Sequence, residues 1–220
     1  MCSKYQLTTD PETLRDYFSY WNKAEFPPRP EIRPTEPVMI IREGASNRRE
    51  MALVRWGFVP HWVKDPDDFP LIINARAETL LEKPSFRTAV AHKRCIIPAN
   101  GFYEWSGPKG KRQPHFIEPK TNAPLGFAGL WEHWLGPDGS EFESAAIITV
   151  AANKEVGKIH DRMPAILEAD QFDDWLNVRD IRAKTALPLL KPAKEALLTI
   201  EDLEAATPRP SPKPKQGDLF

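Results

Sequence analysis

From Val38 to about Asn153 the apolar residues come in short or alternating runs bounded by turn residues, and this rhythm limits the fold more than any other feature. The runs are Val38 to Arg42, Met51 to Phe58, Leu71 to Ala77, Arg94 to Trp105, His115 to Glu118, Leu125 to Trp134 and Ala145 to Ala152. Runs of this length and alternation predict strands. Gly107-Pro108-Lys109-Gly110 and Gly136-Pro137-Asp138-Gly139 supply tight-turn chemistry between them, which favours hairpins over βαβ crossovers. The expected class is α+β, a curved and mainly antiparallel sheet with a few peripheral helices.

Two helices are predicted. Asp10-Pro11 reads as an N-cap followed by proline at the first helical position, with Leu14, Tyr17, Phe18 and Trp21 recurring at helical spacing behind it. Near Ala169 to Val178, Phe172, Trp175 and Leu176 share a face that is expected to pack on the outside of the sheet. Between Phe26 and Pro37 the chain carries Pro27, Pro28, Pro30, Pro34 and Pro37; proline has no N–H to give to a helix or a ladder, so an extended loop is expected there. After Leu198 the apolar signal fades, and residues 207–215 alternate proline with basic or polar residues. The domain is therefore expected to span residues 1–198 and a disordered tail residues 199–220.

At 220 residues, with 41% hydrophobic and 28% charged, the chain has the make-up of one globular domain. No apolar run approaches the roughly 18 residues of a membrane span, and the first residues lack the layout of a signal peptide. A cytoplasmic protein with no membrane partner is expected. In that reducing setting Cys2 and Cys95 are not expected to pair. The cysteines and histidines show no metal-ligand spacing such as CxxC or HExxH, so neither a metal nor another cofactor is expected. A formal net charge of -1 argues weakly against nucleic acid, because a DNA-binding face would have to gather its Lys and Arg on one side.

Cys2 has the most distinctive chemistry. A small residue after the initiator methionine permits methionine removal, which leaves one residue carrying both a free amine and a thiol. The amine, with an ordinary pKa of roughly 7.7–8.0, condenses with an aldehyde to a Schiff base, and the thiol can then close a thiazolidine ring. By itself a cysteine at this position is read more simply as an incidental terminal residue. His160-Asp161-Arg162-Met163-Pro164 places an imidazole, a carboxylate and a guanidinium in one loop, a proton carrier beside a phosphate clamp, although a lone histidine is more often structural. In Gly101-Phe102-Tyr103-Glu104-Trp105, aromatic neighbours would raise the pKa of Glu104 and suit it to proton transfer; the plainer reading is a strand-edge carboxylate facing water. Strand periodicity puts Asn74, Arg76 and Glu78 on one face and Ala75 and Ala77 on the other. Trp56, Trp62 and Trp105 are candidates for stacking on unpaired bases, at about 1–3 kcal/mol per base, with at least one of them expected in the core. Cys95 reads as a small buried hydrophobe.

Together these residues resemble the SRAP family, the SOS response-associated peptidases, whose pattern joins Met-Cys at the start to WG[LF].P, NAR.E, GFYEW and HDRMP. The four internal motifs stand here in order as Trp56 to Pro60, Asn74 to Glu78, Gly101 to Trp105 and His160 to Pro164. The resemblance implies a DNA-damage protein whose cysteine crosslinks abasic sites in single-stranded DNA, with Cys2, Asn74, Glu104 and His160 as the catalytic set. It implies that Glu104 holds the amine and shuttles its proton, that His160 helps open the deoxyribose to its aldehyde, and that Asn74 orients the terminus. Lys4, Arg76 and Arg162 would meet the DNA together with Trp56, Trp62 and Trp105, and the protein would gather at the nucleoid on damaged DNA. The chain departs from the pattern at Ser3, where the family start MCGR has glycine, and at Glu31, where the family's YN.AP segment has asparagine.

Gln216-Gly217-Asp218-Leu219-Phe220 resembles the short terminal peptides by which bacterial repair proteins dock on the sliding clamp, with Gln216, Leu219 and Phe220 as contacts. A proline-rich basic linker would let such a peptide reach the clamp while the domain stays on DNA. Deleting these five residues is expected to abolish retention on immobilised clamp in a pull-down, and unchanged retention removes the idea. Two other readings remain open from the residues alone. One is an N-terminal-nucleophile thiol hydrolase built on Cys2, His160 and Glu104, which would release product and turn over. The other is a non-covalent single-strand binder, indifferent to Cys2→Ala.

Overall fold

The computed structural model describes residues 2–23, 26–108 and 110–203. In chain order its strands are β1 (Tyr5–Leu7), β2 (Arg29–Ile32), β3 (Pro37–Glu43), β4 (Arg49–Trp56), β5 (Asn74–Arg76), β6 (Arg94–Ala99), β7 (Gly101–Ser106), β8 (Gln113–Pro119), β9 (Leu125–Leu135), β10 (Glu141–Ala151), β11 (Arg162–Pro164), β12 (Ile166–Leu167) and β13 (Leu198–Asp202). The α-helices are α1 (Pro11–Phe18), α2 (Pro84–His92), α3 (Phe172–Leu176) and α4 (Ala183–Ala186).

The strands form two sheets where the sequence suggested one. Five run in the order β13-β8-β7-β1-β2. The others run β11-β10-β4-β3-β6-β9-β12, with β5 against β10. A further antiparallel pairing of β10 with β9, from Glu141↔Leu135 to Ile147↔Gly129, closes β10, β4, β3, β6 and β9 into a barrel-like ring. Closure removes the unpaired edges that would template aggregation. Among the described residues only the pairings of β10 with β4 and with β5 are parallel. The expected class, α+β with a curved and mainly antiparallel core and peripheral helices, is therefore the observed one.

Met39, Ile40, Ile41, Ile96, Phe127, Leu130, Ile147 and Ile148 fill the interior. Each such side chain contributes about 1.5–3 kcal/mol by leaving water. Arg94 joins them, only 1% exposed, because its guanidinium donates to the carbonyls of Val90, Trp175, Asn177 and Ile181 at 2.5–3.1 Å. It thereby satisfies carbonyls near the ends of α2 and α3 and ties both helices to the barrel wall.

The run read as one strand from Arg94 to Trp105 is broken at Asn100, and the break carries the chain from the barrel into the second sheet. Asn100 Oδ1 accepts from the amides of Thr8 and Thr9 at 2.6 and 3.1 Å, while its own N–H donates to Gln6 O. Gly101 follows because a Cβ there would lie 2.5 Å from the Phe116 ring and 2.7 Å from Ile117 O.

Asp10 caps α1 by accepting from Thr13 N at 2.9 Å, and the helix stops at Phe18 because Ser19 turns left-handed at φ 55. Trp21 thus falls outside the helix and is half exposed. The proline-rich stretch is not all loop: residues 29–32 form β2, an edge strand on which Pro30 leaves no central ladder bond unmade, and Pro37 opens β3. At the other end, β13 pairs with β8 from Leu198↔Pro119 to Asp202↔His115, so ordered pairing runs past the boundary expected at 198.

Candidate active site

Cys2 lies just before β1, the strand between β2 and β7. Pairing of β1 with β7 sets Tyr5 opposite Phe102, and Tyr103 N donates to Lys4 O at 2.9 Å. Continued in that register, the chain start runs alongside Glu104 and Trp105. The Cys2 thiol points back to Lys4 O at 3.8 Å. Asn74 and His160 come from the other sheet, at two strands that flank the end of β10. Asn74 opens β5 opposite Ile147, and Arg162 opens β11 opposite Ala151. Asn74 Nδ2 donates to the Cys2 carbonyl at 2.8 Å, a bond that joins the two sheets at the terminus. Its Oδ1 is buried and has no hydrogen-bond partner among the described residues.

His160 is placed by a turn that closes with its N–H on Val156 O at 3.0 Å, itself anchored by Asn153 Oδ1 on the amide of Val156. Its Nδ1 stands 3.0 Å from the amide of Arg162 and 2.9 Å from Asp161 Oδ1. The amide donates to that nitrogen when the ring is neutral, leaving the ring proton on Nε2; the carboxylate receives it when the ring is charged.

Glu104 is 2% exposed, and burial pushes its carboxyl above the ordinary range while the nearby charge of His160 pulls the other way. Cys2 is fully buried. Burial first, and the negative charge of Glu104 second, push its thiol well above the ordinary cysteine range. The four residues singled out as catalytic thus converge on one seam between the sheets.

The side chains expected to meet DNA are less uniform. Trp56 is corrected to a core residue: it is fully buried, donates from Nε1 to Ile73 O at 2.9 Å and packs edge-on to Tyr5 at 5.3 Å, so no base can reach it. Trp62 is half exposed and meets Phe69 edge-on at 5.9 Å. Trp105 is half-buried with Lys4 Nζ 5.4 Å from its ring centroid. Arg76 is exposed, and no ion pair involves it among the described residues. Arg162 is already engaged, bidentate to Glu78 at 2.7 and 2.9 Å and donating to Thr149 O at 2.6 Å. Gln216, Leu219 and Phe220 lie outside the described residues.

Sequence reasoning missed the partners that hold these cations. Glu78 shared a face with Asn74 and Arg76 on paper, but it sits in the 3-10 turn Ala77–Thr79 and reaches Arg162 instead. Tyr103 lies under Lys4 at 4.1 Å, and its place in the GFYEW motif beside Glu104 was the available signal. Ser106, His115 and Asp202 form a chain of two 2.7 Å hydrogen bonds that ties β13 to β7 and β8. Among the described residues no group of three or more His, Cys, Asp or Glu is placed to hold a metal ion, and no helix is long and apolar enough to cross a membrane.

Two sheets meet at a near-terminal cysteine, with an asparagine, a buried carboxyl and an imidazole around it, in a β-rich domain. The family described as SOS response associated peptidase (SRAP) matches residues 1–207, and the chain belongs to it. It is 38% identical over 198 residues to the abasic site processing protein YoqW of Bacillus subtilis, covering 87% of each chain. It is 30% identical to the abasic site processing protein HMCES of Xenopus tropicalis, covering 87% of this chain and 70% of that one. A crystal structure of a Bacteroides thetaiotaomicron protein superposes with a TM-score of 0.84 at 26% identity, covering 92% of both chains.

Proposed function

We propose that this protein, once Met1 is removed, captures abasic sites in single-stranded DNA by a covalent bond from Cys2 to the sugar aldehyde and so shields them. The observation that carries the reading is the Asn74 bond to the Cys2 carbonyl, which holds the residue bearing amine and thiol beside buried Glu104. The names of the bacterial and vertebrate relatives, abasic site processing proteins, support the same substrate.

The steps follow from the groups present. The cyclic sugar opens as a proton leaves its anomeric hydroxyl and another reaches the ring oxygen, with His160 as carrier. The Cys2 amine adds to the aldehyde carbon, and loss of water gives the imine, Glu104 supplying and recovering the proton. The thiol then adds across C=N: Sγ bonds to carbon, its proton passes to nitrogen, and a thiazolidine results with water as the one leaving molecule. The order, amine first and thiol second, follows from the chemistry of the aldehyde: the amine forms the imine, and the thiol adds to the C=N bond so made.

The test uses the Met1-processed protein, a single-stranded oligonucleotide with one abasic site, and a denaturing gel. A heat-stable band shifted by the mass of the DNA is expected, with none from an oligonucleotide whose tetrahydrofuran spacer lacks an aldehyde. Absence of that band despite a confirmed free N-terminal cysteine would sink the reading and direct attention to hydrolase turnover. The same reading assigns the tail ending in Leu219 and Phe220 the role of clamp tether, and places the work of the protein at the nucleoid.

A further inference from the structure

We infer that Glu31 is a built-in stand-in for a DNA phosphate: it occupies the Lys4 ammonium that a phosphodiester of the bound strand must take over, and so weakens binding of single-stranded DNA. The inference rests on the proposed DNA-capture reading.

Lys4 is fastened to the site through its backbone, whose carbonyl takes both the Tyr103 amide and the Cys2 thiol. Its ammonium lies over the Tyr103 ring at 4.1 Å and near the Trp105 ring at 5.4 Å, an aromatic shelf that attracts a cation. Glu31 Oε2 accepts from it at 3.1 Å, while Glu31 Oε1 holds Arg33 Nε. One anion thus spans two cations, each on its own oxygen, as the two non-bridging oxygens of a phosphodiester do. Glu31 sits on β2, the edge strand of the smaller sheet, which keeps the pair open to exchange.

Exposure decides whether the carboxylate blocks the site or yields. The side chain of Glu31 is 40% exposed and that of Arg33 62%, while Lys4, beneath the carboxylate, is 19% exposed. Ion pairs this open to water are weak and screened by salt, so a strand presenting phosphate can displace the carboxylate. Hydrogen bonds from Arg33 first and Lys4 next also hold Glu31 below the usual carboxylate range, so the stand-in is an anion at neutral pH.

The experiment measures anisotropy of a labelled single-stranded oligonucleotide with a tetrahydrofuran spacer, bound by the full-length Met1-processed protein between about 50 and 200 mM salt. Glu31→Gln is expected to tighten binding about tenfold at the low end and to steepen the salt slope by roughly 0.7 for each phosphate newly neutralised. In a Lys4→Ala background the same change is expected to give no gain, the coupling expected of residues in contact. Should Glu31→Gln fail to fold, Glu31→Ala, which removes both the charge and the contact, is expected to show the same gain. Equal affinity and slope for wild type and Glu31→Gln, or a gain that survives Lys4→Ala, overturns the inference and leaves Glu31 a tie within the sheet. If wild type and variant both fail to bind, the DNA-capture reading falls with it.

Discussion

Glu104→Gln is expected to slow adduct formation about 10²–10⁴-fold, the usual worth of a positioned proton carrier, while raising the thermal midpoint of the protein at neutral pH. The two effects have one cause. A carboxyl 2% exposed holds its proton to higher pH in the native state than in the unfolded chain. Between the unfolded and the raised folded value the native state binds the extra proton, so stability falls as pH rises through that window and the full penalty is present above it. Glutamine matches the shape and cannot ionise, which removes the penalty together with the proton. Gel time-courses and melts of both proteins from about pH 5 to 8 check this, with the stability of the variant expected to vary less across the range. A variant that melts lower and reacts at the wild-type rate would show that Glu104 is a structural anchor and not a proton carrier.

A site that weakens its own scaffold fits the way the sequence both announced and concealed this fold. The barrel strands were legible because Met51 to Trp56 or Ala145 to Ala151 alternate or run apolar between turn residues, and the pattern depends on nothing distant. β1 and β5, three residues each, are too short to show a period, yet they carry the terminus and Asn74. β2 was hidden because proline argues against a ladder unless the strand is known to lie at an edge. α2 was hidden because Phe86, Ala89 and Val90 make a narrow stripe behind Pro84. The candidate site residues were named through their motifs. What no local pattern could reveal was their meeting, since Cys2 and Asn74 stand 72 residues apart and touch across two sheets. Trp56 was misread for the same reason, as motif membership says nothing about which face of β4 turns inward.

Cys2→Ser is expected to lose the heat-stable adduct entirely while keeping a transient one. Serine leaves the α-amine in place, so the imine still forms, with Asn74 still able to hold the residue-2 carbonyl and Glu104 still able to move the proton. The hydroxyl is a poorer nucleophile than the thiol and closes a ring that reopens more easily, so hydrolysis of the imine wins. Borohydride added during the reaction is expected to trap the Cys2→Ser adduct at nearly the wild-type rate, and without reductant only wild type leaves a shifted band after heating. A heat-stable Cys2→Ser band without reductant would show that sulfur does not close the product. Loss of the borohydride-trapped species would show that the thiol, and not the amine, attacks first.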